Sequence, residues 1–124
     1  MLKAPIPRNE SERLTALKEF RILDTLQDEQ LDEITKAAAL LCDCSISLIS
    51  LIDTDRQWFK SKYGLDADET TRDISYCGHA IMGDDLFIVE DAELDERFCD
   101  NPLFTGAPHV RFYTGAPLVT TSGH

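Results

Sequence analysis

The residue types able to do chemistry fall in a few short stretches of this chain. Ser75-Tyr-Cys-Gly-His79 sets a thiol and an imidazole two positions apart. Ser75 has the character of a helix N-cap for a short segment running to about Met82, so Cys77 and His79 fall in its first turn or two. A thiol near a helix N-terminus with an imidazole close by is a candidate for a lowered pKa, and so for reaction with a ligand or attachment of one. The alternative is a small buried Cys77 beside a polar wall residue, His79. Cys42, Cys44 and Cys99 complete the set of four cysteines. Cys42-x-Cys44 with Cys77-x-His79 matches none of the common zinc patterns, which leave about two to four residues between ligands in at least one arm, so no metal site is expected. Arg72, Arg97 and Arg111 are the candidate anion contacts, because guanidinium pairs bidentately with carboxylate or phosphate. The alternative for each is an ion pair with one of the abundant Asp and Glu side chains. A Gly-rich phosphate loop, a Ser-His-Asp order and a helical His-Glu-x-x-His pair are all absent from the sequence.

The elements that must position these residues are organised around Ile46–Asp53, Ile-Ser-Leu-Ile-Ser-Leu-Ile-Asp. Apolar residues fall on both of its faces, the pattern of a strand covered on both sides, and it is taken as the central strand. Asp53-Thr-Asp-Arg56 turns the chain into a second strand over 57–64, forming an antiparallel hairpin. In that strand Phe59 and Tyr63 are expected on one face and Trp58, Lys60 and Lys62 on the other. Before the hairpin, Met1 to Arg8 with Pro5 and Pro7 reads as an extended arm. Asn9 as N-cap with Glu12 in capping-box position predicts a helix over 10–21, with Leu14, Leu17 and Phe20 on its apolar stripe. A second helix opens near Asp28, with Leu31, Ile34, Ala38 and Leu41 on one face and Ala37 and Leu40 widening it. Beyond the hairpin come a polar connector over 65–73, a third strand over 86–90, a loop with one helical turn over 91–101, and a second loop bracketed by Pro102 and Pro108. A last strand over 109–119 is interrupted at Gly115 and Pro117.

With 124 residues the chain is one domain at most. A net charge of −11 argues against nucleic acid or an anionic membrane surface as partner. No apolar run reaches membrane-spanning length and the N-terminus lacks an apolar signal core, so no membrane insertion and a cytoplasmic location with reduced cysteines are expected.

Gln-Trp-Phe-Lys at 57–60, Ser-Tyr-Cys-Gly-His-Ala-Ile at 75–81, Asp-Glu-Arg-Phe-Cys-Asp-Asn-Pro at 95–102 and Arg-Phe-Tyr-Thr-Gly-Ala-Pro-Leu at 111–118 resemble bacterial GAF domains. The subgroup most similar sits at the N-terminus of diguanylate cyclases and sensor histidine kinases, and the likeness covers residues 9–124. The resemblance implies an α+β fold with a six-stranded antiparallel sheet, the N-terminal helices on one face and a loop-covered pocket on the other. It also implies further strands and a C-terminal helix beyond the turn at 120–124, one of those strands pairing with 46–53. The chain is therefore expected to be C-terminally incomplete. Trp58, Phe59, Tyr76, Phe98, Phe112 and Tyr113 lie on segments that the family places in or near the pocket, and Cys77, His79, Arg97 and Arg111 join all of them but Phe112 as candidate ligand contacts. Bilin-binding relatives have histidine directly after cysteine, where this chain has Gly78.

The function implied is a regulatory sensor, not itself an enzyme. It would bind an unidentified small molecule and control a downstream signalling domain, in a homodimer joined through the N-terminal helices. One rival is a dimerisation module with a vestigial pocket. Another is an enzyme of the kind that reduces free methionine sulfoxide, which would need Cys77 and Cys99 to converge.

Overall fold

Ser47–Ile52 (β1) and Arg56–Tyr63 (β2) pair antiparallel across the tight turn at 53–55 in the computed structural model, which describes residues 1–124. β2 pairs in turn with a short strand, Glu69–Thr71 (β3), inside the stretch expected to be a polar connector. This three-stranded sheet has the order β1-β2-β3. Within residues 1–124 β1 has a strand partner, β2, on one side. Its doubly apolar pattern reports that both of its faces are covered, which is independent of how many strands flank it.

The ladder carries a bulge. Ile49 pairs with Ser61 and Ser50 pairs with Phe59, so Lys60 is the extra residue in β2. Directly paired residues share a face of an antiparallel sheet. Phe59 therefore lies with Ser50 on one face, while Ser61 and Tyr63 lie with Ile49 and Ser47 on the other, together with Trp58 opposite Leu51. The expected grouping of Phe59 with Tyr63 is overturned, because the bulge reverses the alternation between them.

Glu29–Leu41 (α2) covers the Ser61 face. Its N-cap is Asp28, whose carboxylate accepts from the amides of Gln30 and Leu31 at 2.9 and 3.3 Å. The residues it buries are Thr35 and Ala39 rather than the expected Ile34, Ala38 and Leu41. Thr35 Oγ1 lies 2.9 Å from Ser61 Oγ, and Ser61 donates to the Asp32 carboxylate at 2.5 Å. A small hydroxyl and a methyl let the helix approach the sheet closely, and the buried polar atoms satisfy one another. The opposite side of α2 is left apolar and open, with Ile34 57% and Leu41 87% exposed.

Glu10–Glu19 (α1) ends two residues short of the expected limit and fully buries none of its residues; Phe20 beyond it is exposed. Asn9 makes no side-chain cap and its backbone is not extended as a cap requires. Glu10 faces inward instead. Its carboxylate takes both Arg13, at 3.0 Å from Nε and from Nη2, and Arg72. Arg13 also donates to the Ile52 carbonyl at 2.7 Å, so this cluster fastens α1 to the end of β1.

The other face of β1 meets Tyr76–Ala80 (α3), where Cys77 Sγ lies 3.6 Å from Ser50 Oγ. Beyond α3, Phe87–Val89 (β4) and Tyr113–Gly115 (β5) form a separate two-stranded antiparallel sheet. A 3-10 turn at Ala92–Leu94 and a short helix, Pro102–Thr105 (α4), fill the connection. The largest hydrophobic cluster lies here, with Tyr76, Val89, Ala92 and Phe98 buried and Phe87, Leu103, Phe104, Val110 and Tyr113 packed against them. The fold is α+β with antiparallel sheets and N-terminal helices. The six strands of one sheet that the resemblance implied are represented by five strands in two sheets.

Candidate functional site

Ser75 does cap α3. Its hydroxyl accepts from the Gly78 amide at 3.0 Å and donates to the Arg72 carbonyl at 2.7 Å. Asn101, fully buried, holds the same segment from the other side: its side-chain amide donates to the Ile74 carbonyl at 3.0 Å, and its carbonyl oxygen caps α4 by accepting from Leu103 N at 2.9 Å. The frame around Cys77 and His79 is thus built from two capping side chains. Asn101 followed by Pro102 was the signal for α4 that the sequence reading passed over.

Residues two apart on a helix point about 200° apart, and α3 sends Cys77 and His79 to different neighbours accordingly. Cys77 Sγ donates to Ser50 Oγ on β1 and accepts from Tyr113 Oη on β5 at 3.1 Å. Burial pushes the thiol's pKa up, against the opposing hydrogen bonds with Tyr113 and Ser50. The activated thiol–imidazole pair does not form, and Cys77 stays a protonated thiol joining the two sheets through α3. Burial also pushes the Tyr113 phenol up, and lifts Tyr76 to about 12, so both remain neutral donors. Tyr76 uses its hydroxyl on the Val110 carbonyl at 2.8 Å.

His79, 7% exposed, sits against rings. Its ring is edge-on to Phe98 at 4.8 Å and parallel to Phe87 at 6.5 Å. Tyr76 stacks on Phe98 at 4.3 Å, and Tyr113 meets Tyr76 at 5.4 Å and Phe87 at 6.0 Å. Arg97 closes the outer side, its guanidinium 5.0 Å from the Phe87 centroid and 5.2 Å from that of Phe98. Asp95 holds Arg97 bidentately at 3.0 and 2.7 Å. Burial drives the His79 pKa down; the nearby Leu2 carbonyl works the other way, Arg97 adds to the depression and Asp95 opposes it. Nε2 of this imidazole has no hydrogen-bond partner. The site combines a neutral imidazole, four aromatic rings and a neutralised guanidinium, suited to packing a ring and giving or taking one proton, not to holding a bare anion.

The GAF domain family profile matches residues 27–124. The chain belongs to the GAF domain family. This GAF domain is also 43% identical over 123 residues to a cyclic di-GMP phosphodiesterase of Pseudomonas aeruginosa, a match that takes in 99% of the chain and 21% of that relative. The chain therefore spans about a fifth of the curated relative's length.

Within the GAF domain the expected site residues divide. Tyr76, Cys77, His79, Arg97, Phe98 and Tyr113 come together around α3, with Phe87 as a member that the sequence reading did not single out. Phe59 lies on the same sheet face as Ser50, whereas Trp58 lies on the α2 face. Arg111 stands apart on the surface, its side chain 60% exposed and paired with Asp91 at 2.8 Å and Glu93 at 2.7 Å. Arg72 is buried in the α1 cluster. The cysteines and His79 do not converge into a group of three potential metal ligands. An open recess of about 390 Å³ lies elsewhere, between the turn at Asp53–Arg56 and β3, lined wholly by polar residues. No helix is long and apolar enough to cross a membrane.

Proposed function

We propose that this GAF domain is the sensor of a longer cytoplasmic signalling protein, receiving a small molecule at the cluster around α3 and controlling a downstream output domain of cyclic di-GMP turnover or of a two-component system. The observation that carries this reading is the match of nearly the whole chain to a fifth of a cyclic di-GMP phosphodiesterase. A ligand changes output only by binding one arrangement of the domain better than another. A route for that bias is present in the hydrogen bonds. The Arg72 carbonyl takes both the Ser75 amide, at 3.0 Å, and the Ser75 hydroxyl at the cap of α3, while the Arg72 side chain holds Glu10 of α1. A shift of α3 is thereby passed to α1. An unactivated Cys77, with no base among its partners, favours this regulatory reading over thiol chemistry.

Grafting this chain in place of the matching fifth of the Pseudomonas phosphodiesterase tests the proposal. Cyclic di-GMP hydrolysis by the chimera should resemble that of the parent and differ from that of a variant lacking the segment. Equal hydrolysis by parent, chimera and deletion would mean the segment exerts no control.

The bare side of α2 favours a second, compatible reading, assembly with a second copy through the N-terminal helices. In a chain of net charge −11, close approach of two copies needs an uncharged face, and Ile34, Ala37, Ala38 and Leu41 supply one. Ile34→Glu with Leu41→Glu in the full-length protein should lower its sedimentation mass from dimer to monomer. An unchanged mass with the fold intact would leave the stripe facing solvent.

A further inference from the structure

We propose that the N-terminal arm, residues 1–8, is a strap closed over α3, and that its lifting is the route by which anything reaches His79. The arm is seated along its length, with the Met1 ammonium paired to the Asp100 carboxylate and Ala4 and Pro7 buried. The Ala4 amide donates to the Asp73 carbonyl at 3.2 Å, just ahead of the α3 cap. The Ala4 side chain is buried against Gly78, where a Cβ added to the glycine would come within 2.6 Å of the Ala4 methyl and 2.6 Å of Ser75 Oγ. Gly78 directly precedes the buried His79, and the Leu2 backbone acts on the imidazole against the burial that lowers its pKa. Gly78, the residue that separates the cysteine from the histidine, is thus the notch that lets the arm lie down on α3. Without the arm's backbone over it, the imidazole and its unpartnered Nε2 would lose their cover on that side.

The strap is lightly held. Leu2 and Ile6 are more than half exposed, so the arm's larger side chains contribute little burial. Lys3 reaches the Asp73 carboxylate only at 3.8 Å between two exposed side chains, a pair worth little in water. One ladder-type hydrogen bond, the buried Ala4 and Pro7 side chains and a terminal ion pair from Met1 to the exposed Asp100 carboxylate are still less than the caps and ring packing that hold α3 itself. The arm therefore opens locally at a fraction of the free energy of global unfolding. This inference does not depend on the identity, or the existence, of a ligand, because opening is read directly.

Ala4→Leu places a larger side chain against Gly78 and should lift the arm, whereas Ala4→Ser fits the notch and should not. In the full-length Ala4→Leu protein, amide exchange at residue 4 and tryptic cleavage after Lys3 should each rise by about tenfold or more. Carbethoxylation of His79 by diethyl pyrocarbonate, mapped by peptide mass, should accelerate by a similar factor, with exposed His109 unchanged as the internal reference. Ala4→Ser should behave as the parent in all three. If the arm is freed in Ala4→Leu but His79 reacts no faster, the strap does not control access. If exchange and cleavage match the parent, the notch does not hold the arm. Either result overturns the proposal.

Discussion

Replacing Glu10 with Gln should destabilise the protein by about 3 kcal/mol, the low end of what removing one partner of a buried ion pair costs. The Glu10 carboxylate is shared by two guanidinium groups, and one of them, Arg72, is only 5% exposed. Arg72 keeps weaker contacts to the Asp53 and Thr54 carbonyls at 3.2 and 3.4 Å, but those carry no counter-charge. A neutral amide would leave Arg72 and Arg13 facing each other across a group that presents hydrogen-bond donors of its own. The loss should appear as a lower urea midpoint with an unchanged slope. Acid gives an independent check. Burial alone would raise the Glu10 pKa, yet the hydrogen bonds and charges of Arg72 and Arg13 hold it down to about 2 from an ordinary 4.5. A carboxylate with a depressed folded pKa contributes stability that is present above its unfolded pKa and lost as pH falls towards its folded one. The gap between parent and Glu10→Gln should therefore be full above pH 4.5 and narrow steadily towards pH 2. A constant gap, or no gap at neutral pH, would mean that α1 is held by its half-buried Leu14 and Leu17 and not by the charge cluster.

What the sequence disclosed of this domain follows from the range over which each signal acts. The β1–β2 hairpin was legible because two β-rich segments flank a short polar turn, and the opening of α2 near Asp28 and the cap at Ser75 because a helix start involves only the next few residues. The face of α2 was not legible. Its C-terminal half is apolar all round, so periodicity cannot say that Thr35 and Ala39, rather than Ile34 and Leu41, meet the sheet; Ser61 decides it from another strand. The bulge at Lys60 likewise exists only in the pairing of two strands, and it alone reverses the faces of Phe59 and Tyr63. β3 and α4, three and four residues long, are too short to show a period. In the candidate site, Tyr76, Cys77, His79, Arg97, Phe98 and Tyr113 were found through their motifs, while the separation of the thiol from the imidazole follows from the angle between positions 77 and 79 on α3. Arg111 was drawn inward by a strand expected from 109, but the strand begins at Tyr113, and Arg111 in the preceding irregular segment turns out to Asp91 and Glu93.

The ring cluster provides the other large expected effect. Phe98 has no exposed surface and is the ring that Tyr76, His79, Phe87 and Arg97 all touch. Phe98→Ala should cost about 4 kcal/mol, the transfer free energy of the lost ring plus the cavity left behind, because α3 is held by the Ser75 and Asn101 caps and is not free to collapse into the gap. Phe98→Leu, which keeps most of the volume, should lose about half as much. The cavity in Phe98→Ala would be lined by aromatic carbon on most sides, and an apolar cavity of that kind takes up benzene. Added benzene should therefore raise the thermal midpoint of Phe98→Ala and leave that of the parent unchanged. This separates two roles for the cluster. Rescue without any effect on the parent shows that the closed cluster is filled, so that a small molecule proposed for α3 enters only when the cluster opens. A rise in the parent as well would show that the native cluster already accommodates a small aromatic ring beside His79 without opening.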